Sequence, residues 1–143
     1  MSSHLNPKAL HLLKPTFLSL EHSAYISGAL AQIKVLCIEP GSRVLQFAAY
    51  TFDVSILENL TTLIAGACVC IPDENLRSKG IMTIVNEMRI TWSFLTPSLV
   101  KLIGPDDVPD LRTLVLGGEA LSDSDVKTWA TKVQLMNGYG RLN

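Results

Sequence analysis

Residues 50–58 read Tyr-Thr-Phe-Asp-Val-Ser-Ile-Leu-Glu, and they lie where an extended segment is predicted to become a helix. Before them, residues 42–48 form a short, mostly apolar run after the turn pair Pro40-Gly41, which predicts a buried strand. After them, a helix is predicted over residues 54–65, with these apolar residues on one side: Ile56, Leu57, Leu60, Leu63 and Ile64. In a parallel sheet, such a junction lies at the edge where ligands bind.

Asp53 is the carboxylate at this junction, and the local sequence gives it two candidate roles. It could cap the helix, because an aspartate at a helix start accepts hydrogen bonds from the free N–H groups of the first turn. It could instead hold the ammonium group of a ligand. The segment by itself favours the cap, and the choice depends on the rest of the chain.

Strands and helices are predicted to alternate along the chain. Further strands are predicted at residues 67–71, 91–95, 112–116 and 132–136. Further helices are predicted at residues 22–37, 78–89 and 97–102, and another follows the capping pattern of Ser122 and Asp125. The strands start roughly 20 to 25 residues apart, which is typical of βαβ crossovers. We therefore expect an α/β fold, with alternating βα units forming a mostly parallel sheet flanked by helices.

Unusual tripeptides stand at the predicted carboxyl ends of three strands, at residues 52–54, 117–119 and 138–140. In a parallel sheet these segments converge on one edge. Gly117 and Gly118 could let the backbone approach a flat ligand closely, although a Gly-Gly pair also occurs in ordinary turns. Tyr139 could stack on a base or cover the core. Neither glycine segment is a phosphate-binding loop, so the residues alone predict a small-molecule edge without an assigned reaction.

Composition excludes several kinds of partner and site. The 143 residues are 48% hydrophobic and 17% charged with a net charge of −1, so we expect neither nucleic acid nor a membrane as partner. The three cysteines and three histidines lack metal-ligand spacing, and no metal site is predicted. The most apolar window, residues 60–71, is too short to span a bilayer, and no signal peptide is evident. The expected location is the cytoplasm.

Several ordered motifs resemble those of nonribosomal peptide synthetase adenylation domains, within the wider family of adenylate-forming ligases. The matching segments are residues 21–22 (Glu-His), 43–48 (Arg-Val-Leu-Gln-Phe-Ala), 50–58, 94–98 (Phe-Leu-Thr-Pro-Ser), 113–122 (Thr-Leu-Val-Leu-Gly-Gly-Glu-Ala-Leu-Ser) and 137–140 (Asn-Gly-Tyr-Gly). The resemblance implies that residues 21–143 are a partial AMP-binding domain, from the N-terminal subdomain of the fold. Residues 1–20 are then an irregular lead-in that is not native family sequence.

The chemistry of the family gives Asp53 a specific role. These enzymes convert ATP and an amino acid into an aminoacyl-AMP and pyrophosphate, and the aminoacyl group then passes to a carrier-protein thiol. The resemblance therefore implies an amino-acid substrate, ATP and Mg²⁺ as cofactors, and a carrier-protein domain as partner. By motif, Asp53 resembles the acid that pairs with the substrate α-ammonium group, which needs an opposite charge when it leaves water.

The same resemblance assigns the other site residues. Five apolar or small residues look like walls of the amino-acid pocket and suggest a hydrophobic substrate: Leu57, Phe94, Val115, Gly117 and Gly138. Four residues resemble the segments that line the adenine: Gly118, Glu119, Asn137 and Tyr139. No catalytic residue and no metal ligand is assigned.

The chain departs from the family pattern at both ends. Lys14-Pro15 is in register with the end of the family's phosphate loop, but the Ser, Thr and Gly residues of that loop are absent. Leu142 and Asn143 stand where the family has a Thr that contacts phosphate and a Glu that helps to hold magnesium. The family's later ribose-binding Asp and catalytic Lys are also missing. We therefore expect the chain alone to be inactive in adenylation.

Two alternatives stay open. The chain could be a fragment of an acyl- or aryl-CoA ligase, although a substrate without an amine leaves Asp53 nothing to pair with. It could also be a non-catalytic α/β binding module. Such a module would unfold in one sharp transition as a monomer, whereas exposed apolar surface would indicate part of a larger domain.

Overall fold

The computed structural model describes residues 21–138, and these form one five-stranded sheet in which the paired strands are parallel. The strands are β1 (Arg43–Leu45), β2 (Cys68–Cys70), β3 (Trp92–Leu95), β4 (Thr113–Gly117) and β5 (Gln134–Gly138). Their order across the sheet is β2-β1-β3-β4-β5. The predicted α/β class is confirmed, and all five predicted strands are present.

Helices connect the strands. The described helical elements are α1 (His22–Val35), α2 (Asp53–Ile56), a π-helical turn (Leu57–Thr61), α3 (Thr62–Ile64), α4 (Glu74–Ser78), α5 (Ile81–Glu87), α6 (Pro97–Val100), a 3-10 turn (Pro105–Asp107) and α7 (Asp123–Trp129). Within residues 21–138, none of them has the length and apolar character that crossing a bilayer requires.

Local sequence explains several helix starts. The Thr96 hydroxyl accepts a hydrogen bond from the N–H of Leu99, and Pro97 occupies the first helical position of α6. Ser122 and Asp125 form the reciprocal capping box that begins α7. The helix predicted over residues 78–89 is shorter, because α5 covers Ile81–Glu87 and Ser78 is the last residue of α4; Gly80 between them has a φ of 92°, which interrupts helical geometry.

The sheet buries a hydrophobic layer on each face, because successive strand residues point to opposite sides. On one face Leu45, Leu95 and Leu114 pack with residues of α5 and with Trp129 of α7. On the other face Val44, Trp92 and Val115 pack with Ile38 and Ala67, and Leu57 of the π-helical turn covers them. The second face lies beneath the junction that carries Asp53.

The helical segment at residues 53–64 corrects the prediction for its apolar side. Four residues of the expected buried stripe are exposed: Ile56, Leu60, Leu63 and Ile64. The buried residues of this segment are polar: Ser55, Glu58, Thr61 and Thr62. Buried Ser55, Glu58 and Thr62 recur at helical spacing, so the segment buries its polar side instead of its apolar side.

The first helix shows the same discrepancy. It ends at Val35, two residues before the predicted end, and Ile26 and Leu30 of its predicted apolar stripe are exposed. The buried residue of this helix is Ala29. An apolar stripe at helical spacing therefore did not identify the side that packs on the sheet.

Glu58 is the most unusual buried residue, with an exposed fraction of 0%. Its carboxylate accepts hydrogen bonds from the N–H groups of Phe47 and Ala48 at 3.1 and 3.0 Å, and from Gln46 Nε2 at 3.4 Å. Burial raises the pKa of Glu58 from 4.5 to about 7, and these hydrogen bonds and the positive charge of Arg77 oppose the rise.

We expect the free energy of unfolding to fall as the pH is raised from about 5 to about 8. The folded protein binds the Glu58 proton more tightly than the unfolded chain, since the pKa is about 7 in the fold and 4.5 otherwise. The stabilisation is complete below the pKa of 4.5 in the unfolded chain and is lost as the pH rises through the pKa of about 7 in the folded protein. Between about pH 5 and about pH 8 the change is roughly 2 to 3 kcal/mol. Urea denaturation at a series of pH values measures it.

Two substitutions control this experiment. Glu58→Gln removes the titrating group and should flatten the pH dependence. Glu87→Gln removes an exposed carboxylate, 3.3 Å from Lys79, and should leave the dependence intact. An unchanged slope in Glu58→Gln would show that another group causes it.

Candidate functional site

A groove of about 870 Å³ lies at the carboxyl ends of the strands. The segments that follow β1, β3 and β4, the end of β5, and one side of α1 contribute its walls. This is the edge where open parallel sheets bind ligands, because the loops there diverge and leave a crevice. Fold and groove together define a ligand-binding α/β domain.

The groove brings together eight of the ten residues singled out in the sequence. These eight are Asp53, Leu57, Phe94, Val115, Gly117, Gly118, Glu119 and Gly138. Asn137 is exposed on β5 and is not among the lining residues, and Tyr139 lies outside the described residues. The shared location follows from the sheet topology, and the individual roles stay predictions.

Asp53 is the first residue of α2, and the N-cap is Phe52. Asp53 is therefore not the N-cap residue, and the prediction that it caps the helix is wrong. Its Oδ1 accepts a hydrogen bond from the neighbouring N–H of Val54 at 2.8 Å. Its Oδ2 has no hydrogen-bond partner among residues 21–138, and the side chain is exposed at the groove. A charged acceptor is thus available to a ligand cation.

The Phe94 ring forms the part of the groove floor next to β4 and β5. A Cβ added at Gly117 would lie 2.5 Å from Phe94 Cζ, and one added at Gly138 would lie 2.7 Å from Phe94 Cε2. Real Cβ atoms do not approach other atoms so closely, so the ring leaves no room for a side chain at either position. The carbonyl oxygen of Gly138 also excludes a side chain at Gly117, and Val115 Cγ1, at 2.9 Å, crowds one at Gly138.

Glu119 follows the turn at Gly118, whose φ of 80° is a backbone conformation that favours glycine. The Glu119 carboxylate accepts hydrogen bonds from the backbone N–H of Ser98 at 3.0 Å and from its hydroxyl at 2.5 Å. The bond from the Ser98 hydroxyl is the main cause of the lowered pKa of Glu119. These contacts join the loop after β4 to the start of α6.

Sequence analysis missed the wall that α1 contributes, and it assigned no site role to Phe47, Ala48 and Ala49, which also line the groove. Four residues of α1 and its end line it: Ala31, Gln32, Val35 and Leu36. The hydroxyl of Tyr25 holds this helix to the π-helical turn, with Thr61 Oγ1 at 2.8 Å, and Trp92 Nε1 donates to the carbonyl of Leu36 at 2.8 Å. The local sequence does not mark these four residues as part of a site, because they reach the groove only through the packing of α1 against the π-helical turn and the sheet.

The described residues fit the adenine base of ATP better than they fit Mg²⁺. A Cβ added at Gly118 would lie at an ordinary 3.6 Å from Thr96 Cγ2, so this position leaves room for a flat base, whereas the Phe94 ring fills the space at Gly117. For a metal ion, no group of three His, Cys, Asp or Glu side chains within residues 21–138 could act as a ligand set. The carboxylates of the groove, Asp53 and Glu119, do not by themselves fit the oxygen-rich coordination that Mg²⁺ requires.

Comparison with known proteins identifies the family. Residues 18–141 match the family described as "AMP-binding enzyme". "Nonribosomal peptide synthetase 4" of Gibberella zeae is 51% identical over 127 residues, which are 89% of this chain and 2% of that protein. The chain therefore belongs to the AMP-binding enzyme family, and it spans a small part of this curated relative.

Solved structures agree with the fold. The Vibrio cholerae adenylation domain AlmE, in complex with glycyl-adenosine-5'-phosphate, is 26% identical with a TM-score of 0.68, over 82% of this chain and 23% of that one. PA1221, a protein containing adenylation and PCP domains, is 29% identical with a TM-score of 0.61, over 73% of this chain and 19% of that one. The sheet corresponds to the N-terminal subdomain of adenylate-forming ligases.

We expect Gly138→Ala to destabilise the fold by about 1 to 3 kcal/mol, because its Cβ overlaps the Phe94 ring. In a Phe94→Ala background the same substitution should cost less, because the contacts with the ring are gone and only the contact with Val115 Cγ1, 2.9 Å from the added Cβ, remains of those that crowd it. Gly117→Ala should stay costly in both backgrounds, since its Cβ also meets the backbone carbonyl of Gly138. Urea denaturation of the single and double variants gives the coupling energies, and an equal cost of Gly138→Ala in both backgrounds would contradict this account of the floor.

Proposed function

We propose that this chain forms the amino-acid-binding wall and part of the adenine-binding edge of a nonribosomal peptide synthetase adenylation domain. In the proposed reaction, the carboxylate of a hydrophobic amino acid attacks the α-phosphorus of ATP, forming an aminoacyl-AMP and releasing pyrophosphate. A carrier-protein thiol then takes the aminoacyl group and AMP leaves. Residues 21–143 are the proposed partial AMP-binding domain, working in the cytoplasm where ATP is supplied.

The observation that carries the proposal is the position of Asp53 beside an apolar floor. Its Oδ2, which has no hydrogen-bond partner within residues 21–138, offers the negative charge that an α-ammonium group needs. Leu57, Phe94 and Val115 line the same groove and offer apolar contact to a side chain. A ligand with one cationic end and one apolar end matches this arrangement.

The relatives support the substrate class. AlmE was solved with glycyl-adenosine-5'-phosphate, an amino acid joined to AMP, and PA1221 contains a PCP domain beside its adenylation domain. The described residues of the present chain supply no magnesium ligand set. The proposal for these residues is therefore one of recognition, with Mg²⁺ and the phosphates held by other groups of the longer enzyme.

The test compares two ligands that differ only in the amine. A non-hydrolysable leucyl-adenylate analogue and its des-amino counterpart are titrated into the chain by calorimetry. We expect the leucyl compound to bind about 3- to 10-fold more tightly, because its ammonium group pairs with Asp53 in a partly exposed site. Asp53→Asn should abolish the difference.

Asp123→Asn is the matched control. Asp123 is also exposed and is also the first residue of a helix, so this substitution makes the same change of charge away from the groove. It should leave the preference for the amine unchanged. Equal binding of the two ligands to the unmodified chain would refute the proposed role of Asp53, and tighter binding of the des-amino ligand would favour an acyl-CoA ligase.

A further inference from the structure

One wall of the groove consists of backbone that follows strand β1 and makes no hydrogen bonds of the sheet ladder within residues 21–138. Strand β1 ends at Leu45, and the next residues Phe47, Ala48 and Ala49 line the groove. Gln46 still donates its backbone N–H to the carbonyl of Cys70 at 2.9 Å. Beyond it, the backbone N–H and C=O groups need other partners, because unpaired buried polar groups are destabilising.

A side chain supplies the partners for both N–H groups. Glu58 Oε2 accepts from Phe47 at 3.1 Å and from Ala48 at 3.0 Å, and Oε1 lies 3.3 Å from the N–H of Ala48. Glu58 itself is fully buried and does not line the groove. It therefore influences the groove indirectly, through the backbone of Phe47 and Ala48.

The carbonyl groups of the same segment are also held by side chains. Arg77 of α4 donates to the carbonyls of Gln46 and Phe47 at 3.1 and 3.4 Å, and its guanidinium lies 5.4 Å from the centre of the Phe47 ring. Gln46 Nε2 donates to the carbonyl of Ala48 at 2.7 Å. The conformation of this wall thus depends on three side chains.

We propose that Glu58 is a positioning residue for the groove: its carboxylate fixes the backbone of Phe47 and Ala48 and so shapes the wall that a bound ligand meets. Its hydrogen-bond partners within residues 21–138 are all N–H donors. An acceptor of this size is required there, because a shorter side chain leaves two N–H groups without partners. The effect on an aminoacyl adenylate rests on the proposed function, whereas the effect on the wall does not.

The first test compares Glu58→Ala with Glu58→Gln in the full chain, by amide hydrogen exchange and by affinity for the leucyl-adenylate analogue. Glutamine can place its oxygen at the position of Oε2, which accepts three of the four contacts. We expect Glu58→Ala to speed exchange at Phe47 and Ala48 by at least about 10-fold, with β4 amides unchanged, and to weaken binding about 10-fold. Glu58→Gln should stay within about 3-fold of the unmodified chain in both.

A second measurement needs no variant and serves if Glu58→Ala does not fold. The amide NMR signals of Phe47 and Ala48 should titrate together with a midpoint near the Glu58 pKa of about 7, because both N–H groups are bonded to this carboxylate. Among the described residues, Arg77 is the charged group that acts on Glu58. In Glu58→Gln the shifts should be independent of pH.

The outcomes separate the two proposals. Loss of amide protection without loss of affinity would show that Glu58 holds the wall but that the wall does not serve the ligand, which overturns the positioning role. Unchanged protection in Glu58→Ala, or amide shifts that do not respond to pH, would overturn it directly. Absence of binding to the unmodified chain would instead refute the proposed function and leave the exchange result to decide the role of Glu58 in the wall.

Discussion

The early departure of the chain from strand β1 is the constraint on which the groove depends. A sheet satisfies backbone polar groups automatically, and a segment that leaves it must find other partners. Here the backbone of Gln46, Phe47 and Ala48 is held by a buried carboxylate, an amide and a guanidinium. Because Glu58 and Arg77 reach this segment from two different helical elements, the fold can shape a crevice without extending the strand.

The three carboxylates near the groove differ in what surrounds them. Asp53 is exposed and keeps one oxygen free among the described residues, which suits an incoming cation. Glu119 is occupied by both donors of Ser98, which favour its charged form and tie two loops together. Glu58 is buried, and its donors keep a backbone in place. Burial and hydrogen-bond partners, rather than residue type, separate these roles.

Much of the sheet was predictable from the sequence, because its signals are local. Short apolar runs marked the strands, Thr96-Pro97 and the pair Ser122 and Asp125 marked helix starts, and the parallel order placed the strand ends on one edge. The orientation of the segment at residues 53–64 was not predictable. Periodicity assigns the apolar side to the core, but Glu58 and Thr61 are buried there through hydrogen bonds to distant residues. The α1 wall was missed for a related reason, since helix docking is set by tertiary contacts.

The Phe94 ring has a consequence for how such a groove can change through evolution. The Phe94 ring overlaps the place that a methyl group would take at position 117 or 138. Alanine at position 138 would be destabilising while the ring is present and less so after the residue at position 94 has become smaller, although Val115 still limits the space there. The order of substitutions is therefore constrained, and new ligand preferences at this edge should arise by linked replacements.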